Sequence, residues 1–448
     1  MDELFSTLFS AVDAHRAEIL AAERHIWKNP EPGYREWKTH KYLKDLYEAL
    51  GYRLTEAGNI PGFYTEIDTG RPGPTVAVFG EMDSLIIPSH PECDPETGAV
   101  HACGHHCQSA ALYGLAAALK APGALDGLCG KIRLLAVPAE ELIEIEFRQS
   151  LKDQGVIRYF GGKVEFMYRG FLDGVDMAMM VHTGGGNGIG ANAGSNGCIV
   201  KRAEFIGRAV HAAGASRGLN ALYAANTAMT AANAVRETFL DSQHVRFHPI
   251  ITAGGTAVNS IPDSVVMESM VRADTIGHTV EMNGRINRAF AGAAAAMGCR
   301  LRLSDRHGYA PRFNDPNFNL AVGRVGAMLI PPEQVRVNRS WETGSSDMGD
   351  VSCVMPAIHP SCGGASGTFH GKDFAITDPE MACVTSAKLQ AGILADLLGA
   401  DAAAAKEILA EKKVVYNSTS EYFAAVDKLT REWDAVEYGE DGTATLRY

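Results

Sequence analysis

The sequence lacks an excess of positive charge, a regular cysteine framework and any low-complexity tract, and each absence excludes a class of protein. Its 41 basic residues against 53 acidic residues give a formal charge of −12. This argues against nucleic acid or an anionic membrane as partner, because both favour a basic surface. The nine cysteines are irregularly spaced and odd in number, which predicts free thiols or metal ligands rather than a disulfide framework.

Long apolar runs and a secretion signal are also missing from the sequence pattern. No apolar run approaches the length needed to span a bilayer, and 46% hydrophobic with 21% charged residues is typical of a soluble globular protein. The first residues, Met1–Leu4, have neither a basic start nor a cleavage-site pattern. We therefore expect a cytoplasmic protein whose partner is a small molecule, with neither nucleic acid nor membrane as partner.

Apolar segments in the first half of the chain predict buried parallel strands, and each ends in a residue that can bind a metal or move a proton. The segments are Thr75–Asp83, Lys131–Glu141 and Asp176–His182. The strand-end residues are Asp83, Glu140, Glu141 and His182. In open α/β sheets the ligand crevice lies at the carboxyl ends of the strands, so we expect these side chains to share one site.

The sharpest local motif is His101-Ala102-Cys103-Gly104-His105-His106-Cys107, which runs into a predicted alanine-rich helix. A thiolate and an imidazole two residues apart, at Cys103 and His105, can converge on one ion, and Gly104 lets the backbone turn tightly between them. The partial positive charge of the helix start is expected to lower the pKa of the Cys103 thiol.

The length of the chain predicts two lobes. From Cys198 to about Pro311 the pattern predicts strand, helix, strand, strand, helix and strand, which is the ferredoxin-like order. We therefore predict an α/β fold in which a catalytic domain with a central, mostly parallel sheet is interrupted by an inserted ferredoxin-like (βαββαβ) domain. The predicted domains are 1–195 and 312–448 for the two parts of the catalytic domain, and 196–311 for the insertion.

Five motifs together resemble a known family. They are Glu81-Met82-Asp83, His101–His105, Pro138–Glu141, Gly207–His211 and Gly255–Pro262. In this order they resemble the amidohydrolase branch of the aminoacylase and carboxypeptidase metallopeptidases, whose relatives include aminobenzoyl-glutamate hydrolase and the auxin-conjugate hydrolases. The resemblance covers nearly the whole chain. It implies a catalytic di-metal domain and a lid domain that usually dimerises, so we expect a homodimer or a higher homo-oligomer assembled through the lid.

The resemblance also implies roles for individual residues. The metal ligands it implies are Cys103, His105, Glu141, His182 and His370. Glu140 would be the general base, and Asp83 would support the ligands from behind. In the lid, His211 would polarise the scissile carbonyl, within one subunit or across a dimer interface, while Asn259 and Arg272 would help to bind the substrate.

This ligand set leads us to expect one or two divalent ions per subunit. Thiolate, imidazole and carboxylate together favour Zn²⁺ or Mn²⁺, and Co²⁺ or Ni²⁺ are also compatible because selectivity depends on geometry and availability. A bound metal lowers the pKa of its water to about 7, and Glu140 could carry the released proton to the leaving nitrogen. Because adjacent strand residues point in opposite directions, Glu140 and Glu141 can serve one site only if the strand ends by Pro138.

Two departures from the family pattern leave alternatives open. His106 stands where relatives commonly have Asp or Asn, and it could be an extra ligand, replace a contact behind the ligands, or face the pocket from the helix start. The number of metal ions is therefore open. Residues 142–174 replace a short turn of many relatives, and their charged side chains fit either a solvated helix face or a substrate-selecting role.

The leading functional hypothesis is hydrolysis of a C–N bond in an N-acyl amino acid or an aminobenzoyl-glutamate-like amide. A close variant is hydrolytic removal of ammonia from a nitroanthranilate-type ring. A different class is a metal-free cysteine hydrolase that uses Cys103 with a nearby histidine, but this would leave Glu140 and Glu141 without a purpose. A non-catalytic dimeric binding module is a further class, and the presence of Glu140 argues against it.

Overall fold

A computed structural model describes residues 2–448, and the chain divides into two compact units. Unit 1 consists of Met1–Gly194, Phe313–Trp341 and Asp350–Thr419. Unit 2 consists of Ser195–Arg312, Glu342–Gly349 and Ser420–Tyr448. The chain therefore leaves unit 1 within the glycine-rich stretch that follows His182 and later returns to it.

The helices and strands of the described residues have the following bounds. The α-helices are α1 (Asp2–Ala14), α2 (Arg16–Trp27), α3 (Trp37–Ala49), α4 (His105–Ala118), α5 (Ile145–Asp153), α6 (Gly162–Tyr168), α7 (Ala221–Val235), α8 (Ile276–Ala296), α9 (Pro316–Leu329), α10 (Met348–Ser352), α11 (Ser386–Leu398), α12 (Ala403–Ala410) and α13 (Thr419–Val426). The strands are β1 (Thr55–Glu56), β2 (Phe63–Asp68), β3 (Thr75–Glu81), β4 (Leu85–Ile86), β5 (Ala99–Val100), β6 (Lys131–Val137), β7 (Met177–Met179), β8 (His182–Gly185), β9 (Ile189–Ala191), β10 (Gly194–Ser195), β11 (Gly197–Ile206), β12 (Arg246–Ala253), β13 (Ser264–Ala273), β14 (Arg300–Tyr309), β15 (Arg312–Phe313), β16 (Val335–Val337), β17 (Trp341–Glu342), β18 (Ala357–Ile358), β19 (Ser361–Ser366), β20 (Ala375–Ile376), β21 (Arg431–Tyr438) and β22 (Ala444–Leu446).

Unit 1 is built on a six-stranded sheet in the order β1-β2-β6-β3-β7-β18. The neighbours β6, β3, β7 and β18 run parallel, whereas β1 and β2 are antiparallel additions at one edge. Every residue of β3 is buried, as expected for a parallel strand that is covered on both faces. The predicted α/β class with a central, mostly parallel sheet is confirmed.

One helical stretch of unit 1 corrects the expectation that no apolar run approaches the length of a bilayer. Residues Glu380–Leu398 form a 19-residue stretch that is long and apolar enough to cross a membrane. However, 83% of its apolar window is buried inside the protein. A core helix of a folded unit passes the same test of length and composition, and the packing of α11 against α1, α4 and α9 fits that explanation.

Unit 2 contains the elements that the sequence pattern predicts between Cys198 and Pro311. They follow one another as β11, α7, β12, β13, α8 and β14, with bounds within a few residues of the expected ones. Its sheet has six strands in the order β12-β13-β11-β14-β21-β22, and all neighbours are antiparallel. The role of this unit as a lid or dimerisation domain remains a prediction.

The C-terminal segment lies in a different unit from the one expected. Residues 312–448 are predicted to belong to the catalytic domain, but Ser420–Tyr448 groups with unit 2. The reason is the pairing of β21 with β14, in which Leu301 opposes Val436 and Asp305 opposes Arg431. Pairing between strands so far apart in the chain leaves no local sequence pattern, so it was not predicted.

A buried charge network lies between the sheet of unit 2 and α8. Lys201 of β11 and Asp305 of β14 form an ion pair, and both side chains are almost fully buried. Asp305 also accepts hydrogen bonds from Asn283 at 2.6 Å and from Asn287 at 3.2 Å. Burial lowers the pKa of Lys201 despite the attraction of Asp305. The network is satisfied only while both charges are present.

Replacing Lys201 with methionine is expected to destabilise the protein by about 3–5 kcal/mol, because the buried Asp305 carboxylate would lose its close cation and keep only the half-exposed Arg431 guanidinium at 3.9 Å. Urea unfolding of the purified variant measures this. The double variant Lys201→Met/Asp305→Leu is the control and should recover most of the loss, since an apolar pair often replaces a buried ion pair at little cost. A single variant as stable as the native protein would contradict the prediction.

Candidate active site

The strand ends of unit 1 place the predicted carboxylates and one histidine at the same edge of the sheet. Strand β3 lies between β6 and β7, and its last residue, Glu81, is in register with Val137. The strands end slightly earlier than predicted, so Asp83, Glu140 and Glu141 lie in the turns that follow them. Because β6 ends at Val137, the condition that the strand must end by Pro138 is met.

The turn at Gly104 brings Cys103 and His105 to this edge. Gly104 has φ +90°, and a Cβ there would lie only 2.6 Å from the side chain of Thr183. Thr183 in turn donates a hydrogen bond to the Gly104 carbonyl at 2.9 Å. This close packing requires glycine. It places Cys103 Sγ 3.6 Å from His182 Nε2.

The electrostatics of Cys103 differ from the expectation. The sequence analysis expected the helix start to lower its thiol pKa, but the surrounding protein raises the pKa well above its usual range. Burial is the main cause, and the nearby Glu141 carboxylate adds to it, whereas His105 opposes it. In the absence of a metal ion, Cys103 is therefore a thiol.

Carboxylates face both ring nitrogens of His105. Its Nδ1 lies 3.0 Å from Asp83 Oδ1, and its Nε2 lies 3.1 Å from Glu81 Oε2 and 4.0 Å from Glu141 Oε1. Burial alone would raise the pKa of Asp83, but the charge and hydrogen bond of His105 and the backbone N–H of Glu141 outweigh it and lower the pKa to about 2. Asp83 is therefore a carboxylate behind His105.

Glu141 connects this cluster to His370. The distance from Glu141 Oε1 to His370 Nε2 is 3.3 Å. His370 adopts φ +62°, and its backbone N–H donates to the carbonyl of Ala102 at 2.9 Å, which ties its loop to the Cys103 motif. Burial would raise the pKa of Glu141, but the hydrogen bond and charge of His370 lower it.

The ligand atoms form groups whose members lie within 4.8 Å of one another. The groups are Cys103 with His105 and His182, Cys103 with Glu141 and His370, and Glu81 with His105 and Glu140. The structure therefore brings together all five predicted metal ligands and the predicted base, Glu140. Cys103 belongs to two of the groups, and His105 also belongs to two.

These residues fit a metal ion. His105 Nε2, Glu81 Oε2 and Glu141 Oε1 are buried and face one another, with His105 Nε2 3.1 Å from the first oxygen and 4.0 Å from the second, and neither His105 Nε2 nor Glu81 Oε2 makes a well-directed hydrogen bond within the described residues. Buried polar atoms are rarely left without partners, and a divalent cation would satisfy all three. Thiolate, imidazole and carboxylate form a donor set that suits Zn²⁺ and other divalent transition metals.

Glu81 belongs to one of the sequence motifs but has no predicted role. Its Oε1 is paired with Lys163, and both side chains are fully buried. Burial would raise the pKa of Glu81, but the charges of Lys163, His105 and His182 lower it. The available signal was its position two residues before Asp83, which directs both side chains to the same side of an extended segment.

His106 points to a different cluster. Its Nε2 lies 3.3 Å from Glu23 Oε1 and 3.4 Å from Cys107 Sγ, and its ring packs 4.9 Å from that of Trp27. Among the described residues it groups with Glu23 and Cys107, not with Cys103. His106 therefore packs in a buried polar cluster. The structure does not support the alternatives in which His106 is an extra metal ligand or a contact behind the ligands.

The remaining predicted residues, His211, Asn259 and Arg272, lie in unit 2. His211 caps a short 3₁₀ helix by accepting from the Ala213 N–H, and the carbonyl of Asn259 accepts from the Ala212 N–H at 2.9 Å. Arg272 of β13 donates to Ser345 Oγ at 3.1 Å. Their assigned functions remain predictions.

A family model described as Peptidase family M20/M25/M40 matches residues 75–396. The chain belongs to this family. The match contains all five predicted ligands and confirms the resemblance drawn from the motifs. Membership makes the protein a hydrolase of the kind that includes amidohydrolases and peptidases.

Individual relatives agree with this assignment. An IAA-amino acid hydrolase of Arabidopsis thaliana (ILR1-like 2) is 30% identical over 350 residues, which cover 75% of this chain and 75% of the plant protein. A Xaa-Arg dipeptidase of Mus musculus is 28% identical over 372 residues, which cover 78% of this chain and 77% of the mouse protein.

A solved structure shares the fold of this M20/M25/M40 family member. The Bacillus subtilis YXEP protein, a dinuclear metal binding peptidase, superposes with a TM-score of 0.66 over 86% of this chain and 99% of its own chain. The two sequences are 20% identical. This similarity supports the fold.

Proposed function

We propose that this protein is a metal-dependent hydrolase that cleaves the C–N bond of a small N-acyl or N-aminobenzoyl amino acid. The observation that carries the proposal is the convergence of five potential ligands on one edge of the sheet, in groups that share Cys103. The plant and mouse relatives are named for an IAA-amino acid and an Xaa-Arg dipeptide, which are both built from an amino acid. This supports the proposed class of substrate.

The proposed ligands are Cys103, His105, Glu141, His182 and His370, and they would hold one or two ions per subunit, with Zn²⁺ or Mn²⁺ favoured. A bound ion supplies Lewis acidity and lowers the pKa of a water molecule to about 7. Cys103 belongs to two of the ligand groups, so it would contribute a thiolate ligand whichever of the two holds an ion. The dinuclear YXEP protein is a precedent for two ions on this fold.

Glu140 is the proposed general base. Its carboxylate takes a proton from the attacking water and passes it to the leaving nitrogen, a role that is typically worth about 10²–10⁴ in rate. The side chain is buried beside the ligands and groups with His105 and Glu81. Its burial excludes bulk water from the proton transfer.

Asp83 supports the reaction by orienting His105. As a carboxylate it accepts a hydrogen bond from the Nδ1–H of His105, which leaves the lone pair of Nε2 directed at the ligand group. The family resemblance suggests that His211 donates to the carbonyl oxygen of the substrate, a contribution of about 2.7–4 kcal/mol. Asn259 and Arg272 are assigned to substrate binding on the same basis.

A substrate screen tests the proposal and separates it from the alternatives. Mass spectrometry would follow N-acetyl amino acids, p-aminobenzoyl-glutamate, an IAA-amino acid conjugate, Xaa-Arg dipeptides and a nitroanthranilate, with chelator-treated enzyme as control. We expect an acid and an amino compound to appear together, and only with metal present. Ammonia released from a ring that stays intact would instead identify an aminohydrolase. Amide turnover that survives complete metal removal would favour the cysteine hydrolase.

A further inference from the structure

The turn Ala139–Glu141 carries both carboxylates of the proposed site and has an unusual backbone. Ala139 adopts φ +58°, in the left-handed region that residues with a side chain rarely occupy. Such a conformation persists only where the surrounding structure imposes it. The contacts that impose it therefore decide where Glu140 and Glu141 point.

Buried polar side chains hold the backbone of this turn. The N–H of Ala139 donates to Glu36 Oε1 at 2.8 Å, and the N–H of Glu141 donates to Asp83 Oδ2 at 2.8 Å. Arg148 donates to both carbonyls: its Nη1 to that of Ala139 at 3.1 Å, and its Nη2 to that of Glu141. Both peptide groups that flank Glu140 are thus held, and one guanidinium bridges the carbonyls of Ala139 and Glu141.

Arg148 fits a site that is shaped around it. It lies on α5 and is 1% exposed, which excludes for this residue of 142–174 the alternative of a solvated helix face. Its Nη1 also donates to the carbonyl of Phe160 at 2.6 Å, while Nε has no hydrogen-bond partner within residues 2–448. A Cβ on Gly33 would lie 2.5 Å from Nη2 of Arg148. The backbone at Gly33 is therefore so close to the guanidinium that only glycine fits there.

We propose that Arg148 is a positioning residue that sets the catalytic turn, so that Glu141 meets the metal ligands and Glu140 meets the attacking water. The role assigned to Glu140 rests on the proposed function, whereas the positioning of Glu141 can be measured through metal binding alone. A planar guanidinium with a fixed set of donors can bridge two carbonyls, and a lysine ammonium cannot reproduce that geometry. Through Arg148, the segment 142–174 thereby supports the turn that carries Glu140 and Glu141.

The same segment offers a matched control in Arg169. This arginine donates to the carbonyls of Ala57 at 2.7 Å and Val156 at 2.6 Å and to the Glu165 carboxylate at 2.8 Å. It therefore holds backbone carbonyls and a carboxylate in place, much as Arg148 does, but these contacts lie away from residues 139–141. Arg169→Met should report the cost of losing a structural arginine without disturbing the turn.

The test compares Arg148→Met, Arg148→Lys and Arg169→Met in the full-length protein. Competition with a chromophoric chelator gives the affinity for Zn²⁺ and Mn²⁺, thermal unfolding gives stability, and kcat and KM are measured on the substrate found in the screen. We expect Arg148→Met to bind metal roughly 10- to 100-fold more weakly and to lose kcat by about 100-fold at nearly unchanged KM. Arg148→Lys should fall between this variant and the native protein, and Arg169→Met should lose only stability.

Native metal affinity in the folded Arg148→Met protein would overturn the proposal. An equal loss of metal affinity in Arg169→Met would also overturn it. If Arg148→Met does not fold, Arg148→Lys decides, because its retained charge favours folding while its geometry is wrong. Native metal affinity and native kcat in that variant would also overturn the proposal. If the native protein cleaves no amide, the proposed function fails, but the metal affinities still judge Arg148.

Discussion

Replacing Glu140 with glutamine is expected to lower kcat by about 10²–10⁴ while the protein keeps its metal. Glutamine has nearly the same shape as glutamate, so the turn 139–141 and its contacts with Glu36, Asp83 and Arg148 should persist. The amide cannot accept and return the proton that the reaction requires. Steady-state kinetics and elemental analysis on the same preparation measure both quantities.

The matched control for this prediction is Glu146→Gln. Glu146 lies in the first turn of α5, a few residues along the chain, and is exposed. The substitution makes the same change of charge without touching the ligand groups, so native kcat is expected. Native kcat in Glu140→Gln would show that Glu140 takes no part in the reaction. Loss of the metal together with the activity would show that Glu140 is a ligand rather than the base.

Replacing Cys103 with serine is expected to remove bound metal almost completely. Losing a residue behind the ligands typically costs roughly 10- to 100-fold in affinity, and loss of a ligand shared by two groups should cost at least the upper end of that range. A serine hydroxyl is a poor substitute for a thiolate at neutral pH. Elemental analysis after dialysis and chelator competition measure the change.

Cys107→Ser is the control for this second prediction. Cys107 is a buried thiol four residues away, but it groups with Glu23 and His106 and has no place among the proposed ligands. It should keep native metal content. A Cys103→Ser protein with full metal content and no activity would indicate that Cys103 is a nucleophile instead.

The parts of the site that follow strand ends could be predicted from sequence. Strands such as β3 and β6 are mostly apolar, and their carboxyl ends meet at one edge of a parallel sheet. Asp83, Glu141 and His182 were found in this way. His370 was different, because a histidine in a glycine-rich loop carries no local signal, and only the family pattern identified it.

The contacts that the sequence did not reveal are long-range pairings of buried charges. Arg148 and Lys163 appear in charged helical segments that fit a solvated face, yet the structure buries both, one against the turn 139–141 and the other against Glu81. The composition of a helix does not indicate which distant carboxylate or carbonyl its lysine or arginine side chains will contact. The return of β21 to the sheet of unit 2 is unpredictable for the same reason.

The most direct test of the account is elemental analysis of the purified native protein, combined with activity before chelation, after chelation and after Mn²⁺ or Zn²⁺ is returned. We predict one or two divalent ions per chain, loss of C–N bond hydrolysis when they are removed, and recovery when they are restored. Full turnover by protein that contains no metal would contradict the account.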